Sequence, residues 1–284
     1  MTLPATPRSL SATGAGLVDR RRRALVCSLA GAAAWAGAPA ALAAAARHVP
    51  ILVFHRFAAA ALDSMTLRVA NFESQLRMLE RFSCQVIPLS EWVAWRLAGA
   101  AGASLPPRAV VLTADDGHRS QFEVMAPLLR ERNWPVTLFV YPSAISNAAY
   151  AMTWPQLREL AASPLVSVQS HTFWHPNLLR ERERMPPDAF RRFAADQLTR
   201  SRSTLEQRLS RPVDLLAWPF GLSDEGLALQ AAEAGYQAAF ALGNRSASAA
   251  DPPFAVPRHL MVDSVDAHQL AARLQAAFSS EAPP

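Results

Sequence analysis

The sequence predicts an α/β protein built as a barrel of seven or eight parallel strands, closed or nearly closed. Three observations predict it. Short β-rich runs alternate with helical patterns from His48 onward, as βα units around a parallel sheet do. The chain has 284 residues, 51% of them apolar, enough to bury a large core, and single-domain α/β barrels commonly reach this size. No glycine-rich phosphate loop follows the first strand, which argues against an open, doubly wound sheet.

The elements follow in order. Apolar, β-branched runs place strands at 50–54, 84–89, 109–114, 136–141, 165–169, 215–218, 238–242 and 256–262. Helices are expected at 71–82, 90–97, 122–132, 154–162, 188–209, 224–234 and 265–278. The first carries the apolar stripe Phe72, Leu76, Leu79, with Asn71 as its expected cap. Residues 188–209 have the charged face of an exposed helix. Segments 142–147 and 243–253 are rich in small, polar and proline residues and read as surface connections.

Residues 1–46 read as an export signal. The cluster Arg20, Arg21, Arg22 and Arg23 precedes an alanine-rich apolar run that ends in small residues, the three parts of a signal peptide in order. Arg22-Arg23 loosely fits a twin-arginine signal. The run also approaches the length of about 20 residues that spans a bilayer, so an uncleaved N-terminal membrane anchor is the alternative. This segment holds five arginines against one acid, most of the formal net charge of +5. The remaining domain, 47–284, is nearly neutral, and no nucleic-acid partner is expected of it. Cys84 is its only cysteine, which excludes an internal disulfide.

The chemistry gathers at strand ends, where a barrel of this kind places its active-site rim. The strand at 109–114 runs into Asp115-Asp116-Gly117. Adjacent carboxylates repel each other unless a cation or a shared proton relieves them. The alternative is a turn that caps the following helix. The strand at 165–169 runs into Ser170-His171-Thr172-Phe173-Trp174-His175, with two histidines four apart. Together with a carboxylate of the Asp pair they would make three ligands and leave a coordination position open, as catalytic metals require.

Here the sequence resembles a family. Leu112-Thr113-Ala114-Asp115-Asp116-Gly117 is similar to the Thr-Phe-Asp-Asp-Gly motif of the NodB-like polysaccharide deacetylases, carbohydrate esterase family 4, and the 170–175 stretch to their His-Ser/Thr-x-x-His motif. Residues 50–57 resemble the first strand of the poly-N-acetylglucosamine deacetylase branch, Trp218-Pro219-Phe220-Gly221 its Tyr-Pro-Tyr-Gly segment, and Val256-Pro257-Arg258 its Pro-Arg strand. The resemblance implies a distorted (β/α) barrel, with Asp115 as general base and Asp116, His171 and His175 holding a divalent metal. Zinc suits such a ligand set.

The resemblance further implies His259 as the late general acid and His55, Trp218, Phe220 and Arg258 on the substrate side. Two departures stand out. Ala114 replaces an aromatic, and Trp218 occupies the place of an arginine that orients the catalytic aspartate; Arg258, on a neighbouring strand, is the candidate replacement. The implied activity is removal of N-acetyl groups from an N-acetylglucosamine-containing polysaccharide by an exported, periplasmic or extracellular enzyme. A carbohydrate-binding pseudoenzyme of the same fold, and an amidohydrolase acting on peptidoglycan or a small N-acylated molecule, are the alternatives.

Overall fold

The computed structural model describes residues 47–99 and 104–279. The proposed signal segment, or anchor, at 1–46 lies outside them. No helix among the described residues is long and apolar enough to cross a membrane.

Among the described residues ten strands form: β1 (Ile51–Phe54), β2 (Arg56–Ala58), β3 (Thr66–Arg68), β4 (Gln85–Val86), β5 (Ala109–Asp115), β6 (Val136–Val140), β7 (Val166–Ser170), β8 (Leu215–Ala217), β9 (Ala238–Phe240) and β10 (His259–Leu260). The main sheet runs β10-β1-β5-β6-β7-β8-β9, parallel throughout, with β4 paired beside β5. Parallel bridges Phe240↔Val256 and Gly243↔His259 then carry the pairing from β9 onto the segment leading into β10. The ring therefore closes through residues 256–260, which pair with β9 on one side and β1 on the other. Every strand foreseen from the sequence is present. The small pair β2–β3 was not foreseen, because each strand carries a single large apolar side chain, Phe57 or Leu67, and no apolar run.

Side chains alternate along each strand and sort into two apolar groups. Leu52, Phe54, Val110, Leu112, Leu138, Val140, Leu216 and Ala239 face the surrounding helices. Ile51, Val111, Phe139, Ala217, Phe240 and Val256 form the second group, joined by Trp92. Trp92 packs on Phe240 at a ring separation of 6.2 Å, and Phe240 on Phe139 at 5.6 Å, so the barrel interior is a filled core. All seven residues of β5 are buried, including Thr113 and Asp115. A strand covered on both faces reads as an unbroken apolar run, and an aspartate at its end requires a partner.

The helices are α1 (Val69–Arg81), α2 (Leu89–Ala98), α3 (Ala126–Glu131), α4 (Trp154–Ala162), α5 (Leu178–Arg184), α6 (Pro187–Leu209), α7 (Glu225–Glu233) and α8 (Ala267–Phe278). Helix α1 buries Phe72, Gln75, Leu76 and Leu79, the expected stripe, but begins earlier than foreseen. Asn71 is therefore no cap: its side-chain amide donates to the carbonyls of Asp263 and Val265. A π-helical turn, Gln121–Met125, leads into α3. Helix α5 was not foreseen; its last five residues are all charged, and Leu178 is its one buried residue.

Candidate metal and catalytic site

Asp115 and Asp116 stand at the C-terminal end of β5, His171 and His175 just past β7. The backbone here is forced into an uncommon region. Asp116 has φ 77°, Gly117 φ 71°, Thr172 φ 62° and His175 φ 63°. Left-handed conformations cost a β-branched residue such as Thr172 on the order of 1–3 kcal/mol and persist only where the surroundings over-determine them. Gly117 is required twice over: its φ favours glycine, and a Cβ there would lie 3.1 Å from Cδ1 of Ile145 and 3.2 Å from Cγ1 of Val140. The turn aims Asp116 toward the two histidines.

The donor atoms of Asp116, His171 and His175 lie within 4.8 Å of one another. Asp116 Oδ1 is 3.7 Å from Nε2 of His171 and 3.6 Å from Nε2 of His175, too far for a hydrogen bond. That oxygen is buried and has no hydrogen-bond partner. His171 Nδ1 lies 2.8 Å from the carbonyl of Ala217. A carbonyl only accepts, so Nδ1 carries the proton and the Nε2 lone pair points at Asp116. Two imidazole nitrogens and an unsatisfied carboxylate oxygen converging on one point fit a divalent metal of the zinc type.

The electrostatics agree with that fit. Burial raises the Asp116 carboxyl above its ordinary value, with Asp115 adding to the effect. Burial lowers His175 and takes His171 down to about 3. The site thus disfavours charge on each of these three groups, and a cation among them would keep the imidazoles neutral while favouring the carboxylate.

Asp115 is different. Burial alone would push its carboxyl upward, but Arg258 overrides it and the group settles at about 2. Arg258 NH1 donates to Oδ1 at 2.8 Å and NH2 to Oδ2 at 2.7 Å, a two-pronged clamp between fully buried side chains. The guanidinium also donates to Thr113 Oγ1 and lies 5.2 Å above the Phe139 ring. Asp115 remains 3.9 Å from His171 Nε2, next to the triad but outside it. Arg258 was expected on the substrate side or as the replacement for the missing arginine; with no exposure to solvent, it occupies the second position.

Alternation decides the next residue. Because Arg258 points into the barrel, His259 points out of it. There its Nε2 lies 3.1 Å from Ser246 Oγ, and His48, Arg245 and Arg273 surround it in a surface pocket remote from the aspartates. Burial, and then Arg273, lower it to about 4. His259, expected as general acid, is thus carried to the wrong face of its strand. Trp218, expected to touch substrate, is also placed elsewhere: it is fully buried, and its indole N–H donates to the carbonyl of Phe254.

His55 lies within electrostatic reach of both aspartates, its Nδ1 buried and without a partner. Phe220, at φ 61°, sets its exposed ring 4.8 Å from that of His175. Tyr141 stands on another side, 5.3 Å from His175. Gln121 was missed by sequence reasoning. Its side-chain amide donates to the carbonyls of both His55 and Asp115, tying the ends of β1 and β5 together from the π-turn. A glutamine at the start of an amphipathic helix carries no signal of that kind.

Residues 102–239 match the family model described as polysaccharide deacetylase. The matched segment, just under half of the chain, holds Asp115, Asp116, His171 and His175. Over 123 residues it is 31% identical to the poly-β-1,6-N-acetyl-D-glucosamine N-deacetylase of Escherichia coli strain K12, covering 38% of this chain and 18% of that protein. The enzyme of the same name from Staphylococcus aureus strain MRSA252 is 21% identical over 211 residues, covering 73% of this chain and 71% of its own. The chain thus spans less than a fifth of the E. coli relative. In fold, the chain is similar to IcaB from Ammonifex degensii, with a TM-score of 0.69 at 23% identity, covering 81% of this chain and 97% of that one. His55 and Arg258 lie outside the matched segment, yet the barrel delivers both to its centre.

Proposed function

We propose that the protein is an exported, metal-dependent hydrolase that removes N-acetyl groups from an N-acetylglucosamine-containing polysaccharide. One observation carries the reading: a two-histidine, one-aspartate cluster with an unsatisfied buried oxygen stands beside a second carboxylate that Arg258 keeps ionised.

An amide is a poor electrophile, and its hydrolysis needs an activated water, a polarised carbonyl and a protonated leaving amine. When bound, a divalent ion, zinc by the chemistry of the donors, acts as Lewis acid and lowers the pKa of water to about 7 in favourable sites. Asp116, His171 and His175 would hold it. Asp115 accepts the proton of the attacking water; clamped by Arg258 at both oxygens, it is fixed in position and free of the ligand set. Its low pKa makes it a weak base, one whose contribution is its position, with both oxygens held by Arg258. The backbone N–H of Phe220 is the candidate donor to the developing oxyanion. Protonation of the amine falls to Asp115 returning its proton, with His55, the buried imidazole near both carboxylates, as the second candidate. His259 faces away from this chemistry. Clamping of Asp115 by Arg258 also weakens the pseudoenzyme alternative, which rested on the arginine missing at Trp218.

The test is acetate release by the purified protein from a panel of N-acetylated glycans, including peptidoglycan fragments and small N-acylated molecules, with and without a chelator. Chelator-sensitive release from poly-N-acetylglucosamine is expected. Binding of the glycan without release at any metal concentration would establish the pseudoenzyme, and release confined to peptidoglycan or a small molecule would move the substrate class.

A further inference from the structure

The two histidines of the metal cluster are held in different ways. His171 follows β7 directly: its N–H donates to the Val140 carbonyl at 3.0 Å, and its Nδ1 lies 2.8 Å from the carbonyl of Ala217. His175 stands four residues on, beyond a turn with Thr172 at φ 62° and His175 itself at φ 63°. Its N–H meets Thr172 Oγ1 at 3.2 Å, a contact inside the same turn. A backbone kept in this region persists only where its surroundings hold it there. One face of helix α6 contributes that hold. Phe193, Gln197, Arg200 and Ser201 recur at the spacing that puts them on one stripe of the helix. The Ser201 hydroxyl lies 2.8 Å from that of Ser170. The Arg200 guanidinium lies 3.9 Å from the centre of the Phe173 ring, and the Phe193 ring 6.0 Å from that of Trp174. Gln197 reaches the backbone: its Oε1 accepts from the Trp174 N–H at 3.1 Å.

Gln197 is only 2% exposed, and a buried amide is costly unless its polar atoms are paired. Its acceptor is spent on the one peptide N–H that lies between the histidines at the crest of the turn, next to His175. We propose that Gln197 is a positioning residue for the metal cluster: by holding the Trp174 N–H it keeps the turn in the conformation that brings His175 Nε2 toward Asp116 and His171. Gln197 supplies no ligand and acts through the backbone alone. Its effect falls on His175, because β7 and the Ala217 carbonyl hold His171 independently. This rests on the metal reading given above, and it makes ion affinity depend on the seating of a helix that offers the cluster no donor atom.

The experiment measures zinc affinity of the metal-stripped protein, by competition with a chromophoric chelator, in the wild type, Gln197→Met, Gln197→Glu and Gln75→Met. Methionine keeps the length of Gln197 and removes the acceptor, whereas glutamate keeps an acceptor in either protonation state. Gln75 is an equally buried glutamine of α1 whose amide donates to the Val265 carbonyl, so its loss reports what a general loss of stability does to the cluster. Gln197→Met is expected to bind zinc about 10–100-fold more weakly, the range that partners orienting metal ligands supply. Gln197→Glu and Gln75→Met should bind it as the wild type does. Unchanged affinity in Gln197→Met overturns the proposal, as does a Gln197→Glu variant as weak as Gln197→Met, or an equal loss in Gln75→Met. Should Gln197→Met fail to fold, Gln197→Asn, whose acceptor is drawn back by one methylene, takes its place under the same criteria. Exchange of the Trp174 amide, followed by NMR in the metal-free protein, is read separately and should be faster in the Gln197 variant than in the wild type. If the wild type takes up no zinc, the metal reading fails and the exchange decides: faster exchange in the variant upholds the hold on the turn, and equal exchange overturns it.

Discussion

Arg258 holds both oxygens of Asp115 through two separate nitrogens, at 2.8 and 2.7 Å, with neither side chain open to solvent. Removing one partner of such a pair strands a charge in the interior, typically at a cost of about 3–5 kcal/mol. Arg258→Met should therefore unfold at markedly lower denaturant and lose turnover. Adding Asp115→Asn to it should restore most of the stability and none of the activity. Urea unfolding of the two variants and the double variant measures this, and additive losses would show that the clamp contributes no coupling.

The two aspartates should part company under the same substitution. Asp115→Asn is expected to keep the metal and to lose about 10²–10⁴-fold in turnover, because an amide of nearly the same shape cannot accept the proton of water. Asp116→Asn, His171→Ala and His175→Ala should each lose metal, and Asp116→Asn should recover part of its activity at high metal concentration. Elemental analysis alongside acetate release separates the roles. Metal lost from Asp115→Asn and kept in Asp116→Asn would exchange them.

Acid should weaken the metal-free protein in a defined window. His171 and His259 fall from 6.5 to about 3 and about 4 in the fold, chiefly through burial. The unfolded chain therefore binds more protons than the folded one below pH 6.5, and their contribution to stability, complete above that pH, is lost as the pH drops toward the folded values. Asp115 extends the loss lower, from 3.8 to about 2. Denaturant titrations across this range would show the slope, and a stability that stays flat below pH 6.5 would contradict it.

His259→Gln isolates one part of that slope. It should keep the metal and turnover, lose on the order of 1 kcal/mol with the Ser246 contact, and flatten the pH dependence in its upper part. A large loss of turnover with the metal intact would return His259 to the chemistry.

The mature chain is expected to begin between about Ala44 and His48 and to be found outside the cytoplasm, from the order of charged, apolar and small residues ahead of it. Mass spectrometry of periplasmic or secreted protein gives the terminus directly. An intact Met1 in a soluble cytoplasmic pool would remove the signal.

The barrel was legible because its strands are short apolar runs that alternate with helical patterns. The convergence of Asp116 with His171 and His175 was legible because three chemically specific residues sit at two strand ends. Other features were hidden by the parity of a strand. Whether Arg258 or His259 faces the interior depends on a register set by pairing with β1 and β9, and a shift of one residue exchanges them. The same holds for Trp218, whose indole was available in the sequence for either a sugar or a core. Gln121 could not be found at all, since its two acceptors are backbone carbonyls, one just past β1 at His55 and one at the end of β5 at Asp115.

The closure of the barrel through residues 256–260 also has a temporal meaning. A ribosome has delivered all three residues of the cluster at Asp116, His171 and His175 long before it reaches Arg258. Until that last segment slots between β9 and β1, Asp115 has no counter-charge and the ring has an open edge. On the proposed mechanism, competence for catalysis and closure of the ring are one event, timed by residues 256–260, and a nascent domain lacking them would retain residues able to gather an ion without a base held ready to use it.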